Sequence, residues 1–178
     1  MLYTESYVKQ LQGVHAYEHR PSGFGANTKK LGKFHYYFEK WEPNSLIDYG
    51  CGKGWILKSL QETYPTCQMV GYDPAVLEYQ KIPNNKQFDC VFCIDVLEHI
   101  EPGCLVEVIK HINQLSTKYV WLRIDTLPAR KRLPDGRNAH LIIEQPVFWK
   151  DIIKKHIPGN IVYEMYGKKA KLDIAIEK

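Results

Sequence analysis

Short apolar runs alternate along the chain with stretches whose apolar residues recur at helical spacing. Runs bounded by glycine, proline or polar residues predict buried strands. The predicted strands are Ser45–Tyr49, Gln68–Tyr72, Phe88–Ile94, 117–124, Asn160–Tyr166 and 171–176. Stretches with apolar residues three and four positions apart predict helices. The predicted helices are 3–12, 31–38, 55–64, 101–115 and Pro146–His156.

This alternation predicts an α/β fold with a doubly wound, mostly parallel sheet and helices on both faces. The last two strands are separated by too few residues for a helical crossover, so we expect them to form a C-terminal antiparallel hairpin. The stretch between Asp73 and Phe88 has room only for a helical turn and a loop. We expect residues 1–43 to form a helical and loop cap over the ligand end of the sheet, and residues 44–178 to form a single domain.

Composition narrows the class of protein. The 178 residues are 44% hydrophobic and 25% charged, which is typical of one globular domain. The chain has neither an apolar run long enough to span a membrane nor the apolar stretch of a secretion signal. Its five cysteines, an odd number, indicate free thiols in a reducing compartment. We therefore expect a soluble cytoplasmic protein, whose net charge of +4 permits an anionic substrate without requiring nucleic acid.

Two of the cysteines, Cys90 and Cys93, have the spacing of a zinc or redox pair. They lie within a predicted strand, where residues three positions apart point to opposite faces of the sheet. The two thiols are therefore expected to diverge and not to share a metal ion.

A glycine-rich segment lies directly between the first predicted strand and the helix that follows it. Gly50, Gly52 and Gly54 come after Asp48 at the strand end, so the backbone can turn sharply and approach a ligand closely. Asp73 ends the next strand 21 residues after Gly52, close to the spacing of a carboxylate that binds ribose hydroxyls. The pattern predicts a cofactor that contains a nucleoside.

Three segments resemble the motifs of class I S-adenosylmethionine-dependent methyltransferases. Residues 46–54 are similar to the first motif, in which an acid precedes the glycines, and residues 70–74 are similar to the second. Residues 88–100 are similar to the fourth-strand motif of small members of that family. The resemblance covers the chain from about residue 45 to its end. It implies a Rossmann-like, seven-stranded sheet, with S-adenosylmethionine as cofactor and S-adenosylhomocysteine as product.

The resemblance also implies particular cofactor contacts. Asp48 and Gly50 would line the methionine end of the cofactor, Gly52 would lie under the sugar and Asp73 would hold the ribose hydroxyls. The adenine-contacting acid of the family has no equivalent after Asp73, so Pro74 or a residue between 79 and 87 is expected to replace it. The predicted cofactor-binding residues are Asp48, Gly50, Cys51, Gly52, Asp73, Pro74 and Asp95.

Methyl transfer requires alignment of the reacting atoms and a base where the nucleophile is protonated. His140 is the first choice for that base because imidazole titrates near neutral pH, and Arg137 is suited to an anionic group of the substrate. Both residues lie in the polar stretch 125–140, which is expected to cover the substrate side. The predicted catalytic residues are His140, Asp95, His99 and Arg137. We expect a site without metal that methylates an oxygen or nitrogen atom of a small-molecule acceptor or of RNA.

A divalent-metal-dependent enzyme is an alternative. Asp95, Glu98 and His99 fall at i, i+3 and i+4 and, with His140, offer oxygen and nitrogen ligands for a cation. The pattern resembles the metal-dependent methyltransferases that act on the 2′-hydroxyl at the end of small RNAs. In that family the first acid is a glutamate and the later loop has a further histidine. Nearby basic residues would suit RNA phosphates, and these are Arg130, Lys131, Arg132 and Arg137.

Two further classes share parts of the pattern. A nicotinamide-dependent oxidoreductase has the same glycine turn and ribose acid, but Asp48 and the motif from Asp95 to His99 favour a methyltransferase. A catalytically silent cofactor-binding module is compatible with every motif. The N-terminal segment is expected to close over the cofactor or to form a hydrophobic clasp at the sheet edge. The side chains expected to do so are Tyr17, Arg20 and Phe24.

Overall fold

The computed structural model describes residues 1–17, 31–82, 86–167 and 170–178. Its helices are α1 (Glu5–Tyr17), α2 (Lys33–Trp41), α3 (Trp55–Thr63), α4 (Leu105–Leu115) and α5 (Pro146–His156). Its strands are β1 (Ser45–Tyr49), β2 (Gln68–Tyr72), β3 (Phe88–Ile94), β4 (Ser116–Asp125), β5 (Asn160–Tyr166) and β6 (Lys171–Glu177). The predicted alternation of strands and helices is confirmed. Arg20 and Phe24 of the predicted cofactor-covering segment lie outside the described residues.

The strands form one sheet in the order β2-β1-β3-β4-β6-β5. β1 is parallel to β2 and β3, and β3 is parallel to β4. β6 is antiparallel to both β4 and β5, which confirms the C-terminal hairpin. Because β6 runs against the parallel strands, its first residue arrives where they end, and Lys171 pairs with Asp125, the last residue of β4.

The sheet of the described residues has six strands, where the family resemblance implied seven. The difference lies between β2 and β3, where the chain forms a short 3-10 helix at Leu77–Tyr79. The backbone N–H of Asp73 donates to the carbonyl of Tyr79 at 2.9 Å, which folds this stretch back against the end of β2. As its length predicted, the stretch leaves no room for a crossover helix and another strand.

Alternate residues of β3 enter two apolar layers, one on each face of the sheet. Val91 and Cys93 face the layer covered by α4 and α5, whereas Cys90 and Phe92 face the layer covered by α2 and α3. The doubly wound arrangement is therefore confirmed. Cys90 and Cys93 diverge as predicted, and the five cysteines are free thiols.

Helix α4 shows how the sequence pattern builds these layers. Its buried residues recur three and four positions apart, and these are Leu105, Val108, Ile109, Ile112 and Leu115. A 3-10 helix at Pro102–Cys104 precedes it, so the helix predicted at 101–115 begins in this tighter form. No helix in the described ranges is both long and apolar enough to cross a membrane.

Candidate active site

A cavity of about 630 Å³ opens at the edge of the sheet where the parallel strands end. Ligands of open α/β sheets bind at this edge because loops and helix starts converge there. The cavity is lined by the segments that follow β1, β2, β3 and β4 and by the N-terminal part of the chain, including Tyr7 of α1. All seven predicted cofactor-binding residues line it, and these are Asp48, Gly50, Cys51, Gly52, Asp73, Pro74 and Asp95.

The glycine turn after β1 forms one wall of the cavity. Gly50, Gly52 and Gly54 have φ angles of 80°, 53° and 71°, a region that residues with a side chain rarely adopt. The backbone N–H groups of Gly50 and Cys51 both donate to the carbonyl of Tyr72, at 2.7 and 3.1 Å. The turn is therefore fastened to the end of β2, the strand that leads to Asp73.

Asp73 is buried and supports the turn from the side. Its Oδ2 accepts a hydrogen bond from the N–H of Gly52, and its Oδ1 accepts one from the N–H of Ala75, both at 2.9 Å. Each carboxylate oxygen has a further lone pair, so these bonds leave capacity for a ligand hydroxyl. The predicted ribose acid thus lies in the cavity wall, held in place by two backbone groups.

Asp48 presents a buried carboxyl group to the same cavity. Its side chain is only 3% exposed, and its Oδ2 has no hydrogen-bond partner within the described part of the chain. Burial, and to a smaller extent the negative charge of Asp73, raises the pKa of Asp48 to about 7. A buried carboxylate is stable when a cation or donor pairs with it, so this position favours a positively charged ligand group.

Asp95 leaves the end of β3 with a φ angle of 54° and pairs with a lysine that the sequence reasoning missed. The Nζ of Lys171 lies 2.9 Å from Oδ1 of Asp95 and 2.8 Å from Oδ2 of Asp125. Burial lowers the pKa of Lys171, but the two aspartates outweigh this effect and the net shift is upward. The sequence feature that could have identified Lys171 was the C-terminal hairpin, because its antiparallel direction places the start of β6 at this edge of the sheet.

His99 and His140 both line the cavity, and their rings contact each other. Their ring centroids are 4.7 Å apart, with the rings nearly perpendicular. Nδ1 of His99 donates to the carbonyl of Ala139 at 2.8 Å, and Nδ1 of His140 donates to the carbonyl of Leu127. Burial, followed by the neighbouring His140, lowers the pKa of His99 to about 4, so its ring is neutral at physiological pH.

Glu98 lies close to the two imidazoles and is completely buried. Its Oε1 accepts a hydrogen bond from the backbone N–H of Asp125 at 2.9 Å, whereas its Oε2 has no partner in the described residues. Burial first, and then the charge of Asp95, raises the pKa of Glu98. One ligand atom from each of Glu98, His99 and His140 lies within 4.8 Å of the others.

The polar residues of the loop after β4, which the sequence analysis grouped together, lie in different places in the structure. His140 lines the cavity, whereas Asn138 organises the loop by accepting the N–H groups of Ala129 and His140, both at 2.9 Å. Arg137 is not part of the cavity lining, and its guanidinium instead lies 2.7 Å from Oδ2 of Asp135. Basic groups nevertheless reach the cavity, since Arg130 and Lys131 line it.

The N-terminal helix contributes to the cavity lining and is anchored to the segment that follows β3. Thr4 donates its N–H and its hydroxyl to the carboxylate of Glu101, at 2.9 and 3.0 Å, and Tyr7 donates its hydroxyl to the carbonyl of His99. The start of α1 is therefore fastened to the segment that carries the candidate catalytic residues. This contact brings apolar residues of α1 to the cavity, where Val8 and Leu11 are part of its lining.

We expect Glu101→Ala to destabilise the protein by about 1–2 kcal/mol, because two hydrogen bonds to a carboxylate are lost. The change should also increase cleavage near α1 in limited proteolysis. Urea unfolding and proteolysis measure the two effects. Glu107→Ala is the matched control, since Glu107 forms an exposed ion pair on α4 and its loss should leave stability almost unchanged. Equal effects of both changes would contradict the proposed anchoring.

Comparison with known proteins agrees with this geometry. Residues 18–150, more than half of the chain, match the profile of a methyltransferase domain family. No match was found among curated protein sequences. The chain therefore belongs to the methyltransferase family, within the class I S-adenosylmethionine-dependent enzymes that its motifs resemble. This membership favours a methyltransferase over a nicotinamide-dependent oxidoreductase and confirms S-adenosylmethionine as the cofactor of its class.

Solved structures share the fold at low sequence identity. The methyltransferase domain of bacterial CtHen1-CN has a TM-score of 0.61 and 16% identity, over 85% of this chain and 100% of that chain. An S-adenosylmethionine-dependent methyltransferase from Clostridium acetobutylicum has a TM-score of 0.59 and 12% identity, over 85% and 92%. An O-methyltransferase family protein from Burkholderia thailandensis has a TM-score of 0.59 and 15% identity, over 84% and 53%. The chain thus spans about half the length of the Burkholderia protein and all of the CtHen1-CN domain.

Proposed function

We propose that this chain transfers the methyl group of S-adenosylmethionine to an oxygen or nitrogen atom of an acceptor bound in the same cavity. The observation that carries the proposal is that a single cavity joins two groups of residues. The glycine turn, Asp48 and Asp73 line it, and so do His99 and His140. One cavity therefore offers a nucleoside-binding side and a side with titratable groups.

The residues present fit the cofactor in charge and in shape. The unpartnered carboxyl oxygen of Asp48 suits the ammonium group at the methionine end. The backbone of the glycine turn permits close approach beside Asp73, which suits a ribose. When bound, S-adenosylmethionine supplies an activated methyl group, and the protein needs mainly to align it with the acceptor.

Methyl transfer forms one bond to the methyl carbon and breaks another. The bond from the acceptor atom to the methyl carbon forms as the carbon–sulfur bond breaks, and the sulfur keeps the electron pair in S-adenosylhomocysteine. A protonated acceptor must also lose a proton. We assign this proton to the ring of His140, whose Nδ1 donates to the carbonyl of Leu127, so that Nε2 carries the lone pair. Asp95, held by Lys171, would flank the cofactor near the reacting centre.

A second candidate acceptor is the 2′-hydroxyl at an RNA end. The specific observation in its favour is that Arg130 and Lys131 line the cavity, where they suit phosphates of a nucleic acid strand. Incubation with radiolabelled S-adenosylmethionine and separate small-molecule, RNA and protein fractions distinguishes the acceptors. Labelling of the RNA fraction alone would favour this candidate, and labelling of no fraction would favour a catalytically silent module.

Replacing Asp73 tests the cofactor site directly. We expect Asp73→Ala to weaken binding of S-adenosylhomocysteine about tenfold, because a ribose partner and the support of the Gly52 N–H are lost together. Isothermal titration calorimetry measures the affinity, with NAD as the comparison ligand. Asp151→Ala, an exposed position on α5, is the control and should leave the affinity unchanged. Tighter binding of NAD than of S-adenosylhomocysteine would contradict the proposal.

A further inference from the structure

One part of the cavity lining is apolar, and we call it the apolar patch. Its six residues all line the cavity, and these are Leu2, Tyr3, Tyr72, Val96, Ile100 and Val108. Tyr72 and Val108 belong to the apolar layer covered by α4 and α5, and Leu2, Val96 and Ile100 pack against that layer. An apolar surface within a cavity that elsewhere presents carboxylates and imidazoles suits a flat, weakly polar part of a ligand.

The N-terminal segment supplies two residues of the apolar patch and is anchored at two points. Thr4 donates its N–H and its hydroxyl to the carboxylate of Glu101, in the segment that follows β3. The hydroxyl group of Tyr3 shares a hydrogen bond with that of Tyr72, the last residue of β2. Because β1 lies between β2 and β3 in the sheet, this segment links the two loops on either side of the glycine turn.

Asp73 indicates where the base of the cofactor lies. In S-adenosylmethionine the base and the amino-acid chain leave the ribose from opposite sides of the ring. The proposed function places the ribose at Asp73 and the ammonium group at Asp48, so the base is directed away from Asp48 and toward the end of β2. Tyr72 directly precedes Asp73 there, and Tyr3 is hydrogen-bonded to it. The assignment of the base to this place rests on the proposed function.

The stretch after Asp73 offers little surface for a base. Pro74 lines the cavity, but none of the described residues between 79 and 87 does so. The ring of Tyr79 instead packs on the glycine turn and on β2, since Cβ atoms added at Gly54 and Gly71 would lie 2.5 and 2.9 Å from it. Within the described part of the chain, the surface for the base therefore comes from Pro74 and the apolar patch.

We propose that Tyr3 brings an aromatic ring from the N-terminal segment to the adenine of S-adenosylmethionine and, with Tyr72 and Val96, forms the base-binding pocket. Tyr3 is 37% exposed and has surface left for a ligand, whereas Tyr72 is 3% exposed and supports it through the shared hydrogen bond. A purine has two apolar π-faces, so an aromatic ring binds it without a carboxylate. Tyr3 is thus a residue that determines specificity for the base.

The test is isothermal titration calorimetry of the full chain with three ligands: S-adenosylhomocysteine, adenosine and S-ribosylhomocysteine, which lacks the base. Tyr3→Ala should weaken binding of the first two by at least about tenfold, because both carry adenine, and should leave the affinity for S-ribosylhomocysteine unchanged. Tyr3→Phe keeps the ring and should bind S-adenosylhomocysteine within about threefold of the unchanged chain. Tyr36→Ala, an exposed tyrosine on α2, is the matched control and should bind all three ligands as the unchanged chain does.

Thermal unfolding confirms that each variant is folded before its affinities are compared. Equal losses for the ligands with and without the base would show a general disturbance of the site and would overturn the assignment of Tyr3. A loss in Tyr3→Phe as large as that in Tyr3→Ala would overturn the aromatic ring as the contact.

The same titrations separate this proposal from the proposed function. Methyl transfer by the chain, together with unchanged S-adenosylhomocysteine and adenosine affinity in Tyr3→Ala, would overturn the base-binding pocket alone. Adenosine binding that is lost in Tyr3→Ala, in a chain that labels no acceptor fraction, would support the pocket and overturn the methyltransferase function alone.

Discussion

Replacement of Asp48 by asparagine is expected to lower the affinity for S-adenosylhomocysteine on the order of a hundredfold at pH 8. The carboxyl group of Asp48 is buried, and one oxygen lacks a partner in the described chain, so a ligand ammonium would be its main counter-charge. Calorimetry at pH 8 measures the loss, and Asp151→Asn on α5 is the control. A change of less than about threefold would show that Asp48 does not contact the charged end of the ligand.

The same change should stabilise the protein without ligand. Burial raises the pKa of Asp48 from 3.8 to about 7, so the folded state holds its proton more tightly than the unfolded state. The free energy of unfolding therefore falls as the pH rises from about 4 to 7, and the full loss of stability is present above pH 7. Asp48→Asn removes this cost, which corresponds to at most about 4 kcal/mol.

Urea unfolding at pH 5 and at pH 8 measures the effect on stability. The variant should exceed the unchanged protein by the larger margin at pH 8, and the margin should shrink at pH 5 as Asp48 takes up its proton. Binding of the ammonium group should release a proton near pH 7, which calorimetry in buffers of different ionisation enthalpy detects. A variant that is less stable than the unchanged protein at pH 8 would contradict the unpaired, buried state of this carboxyl.

The part of the cavity formed by the glycine turn and Asp73 could be predicted because its determinants are local in sequence. The turn from Gly50 to Gly54 follows a strand directly, and Asp73 ends the neighbouring strand, so parallel pairing of β1 and β2 brings them together. The strand number shows the limit of resemblance. The family pattern implied seven strands, whereas the short stretch before Phe88 itself predicted that this region is reduced.

The part of the site formed by Asp95, Glu98 and His99 could be predicted only in part because it depends on contacts distant in sequence. Spacing placed Asp95, Glu98 and His99 on one helical face, but the turn begins only at Leu97 and Asp95 precedes it with a positive φ. Asp95 therefore pairs with Lys171, while Glu98 is directed inward. No local pattern specifies a contact across 76 residues, since it follows from the register of β6 against β4.

Gly50, in the loop after β1, packs against Val96, in the loop after β3, and this contact leads to the second large expected effect. A Cβ atom added at Gly50 would lie 2.4 and 2.8 Å from the two γ-carbons of Val96, and the φ angle there is 80°. Val96 is branched at Cβ and cannot turn both carbons away. We expect Gly50→Ala to destabilise the protein by about 3 kcal/mol, from backbone strain and overpacking together.

A double-mutant cycle separates these two causes. In the Val96→Ala background the overpacking is relieved. Gly50→Ala should then destabilise the protein only through backbone strain, by about 1–2 kcal/mol. Gly136→Ala is the matched control, since its φ angle of 88° is similar and its added Cβ would meet no atom within 4 Å. This variant should also lose only about 1–2 kcal/mol, from backbone strain alone. Urea unfolding of the four variants measures each value. Strictly additive costs for Gly50→Ala and Val96→Ala would show that the two loops do not constrain each other, and the glycine would then be required for its backbone conformation alone.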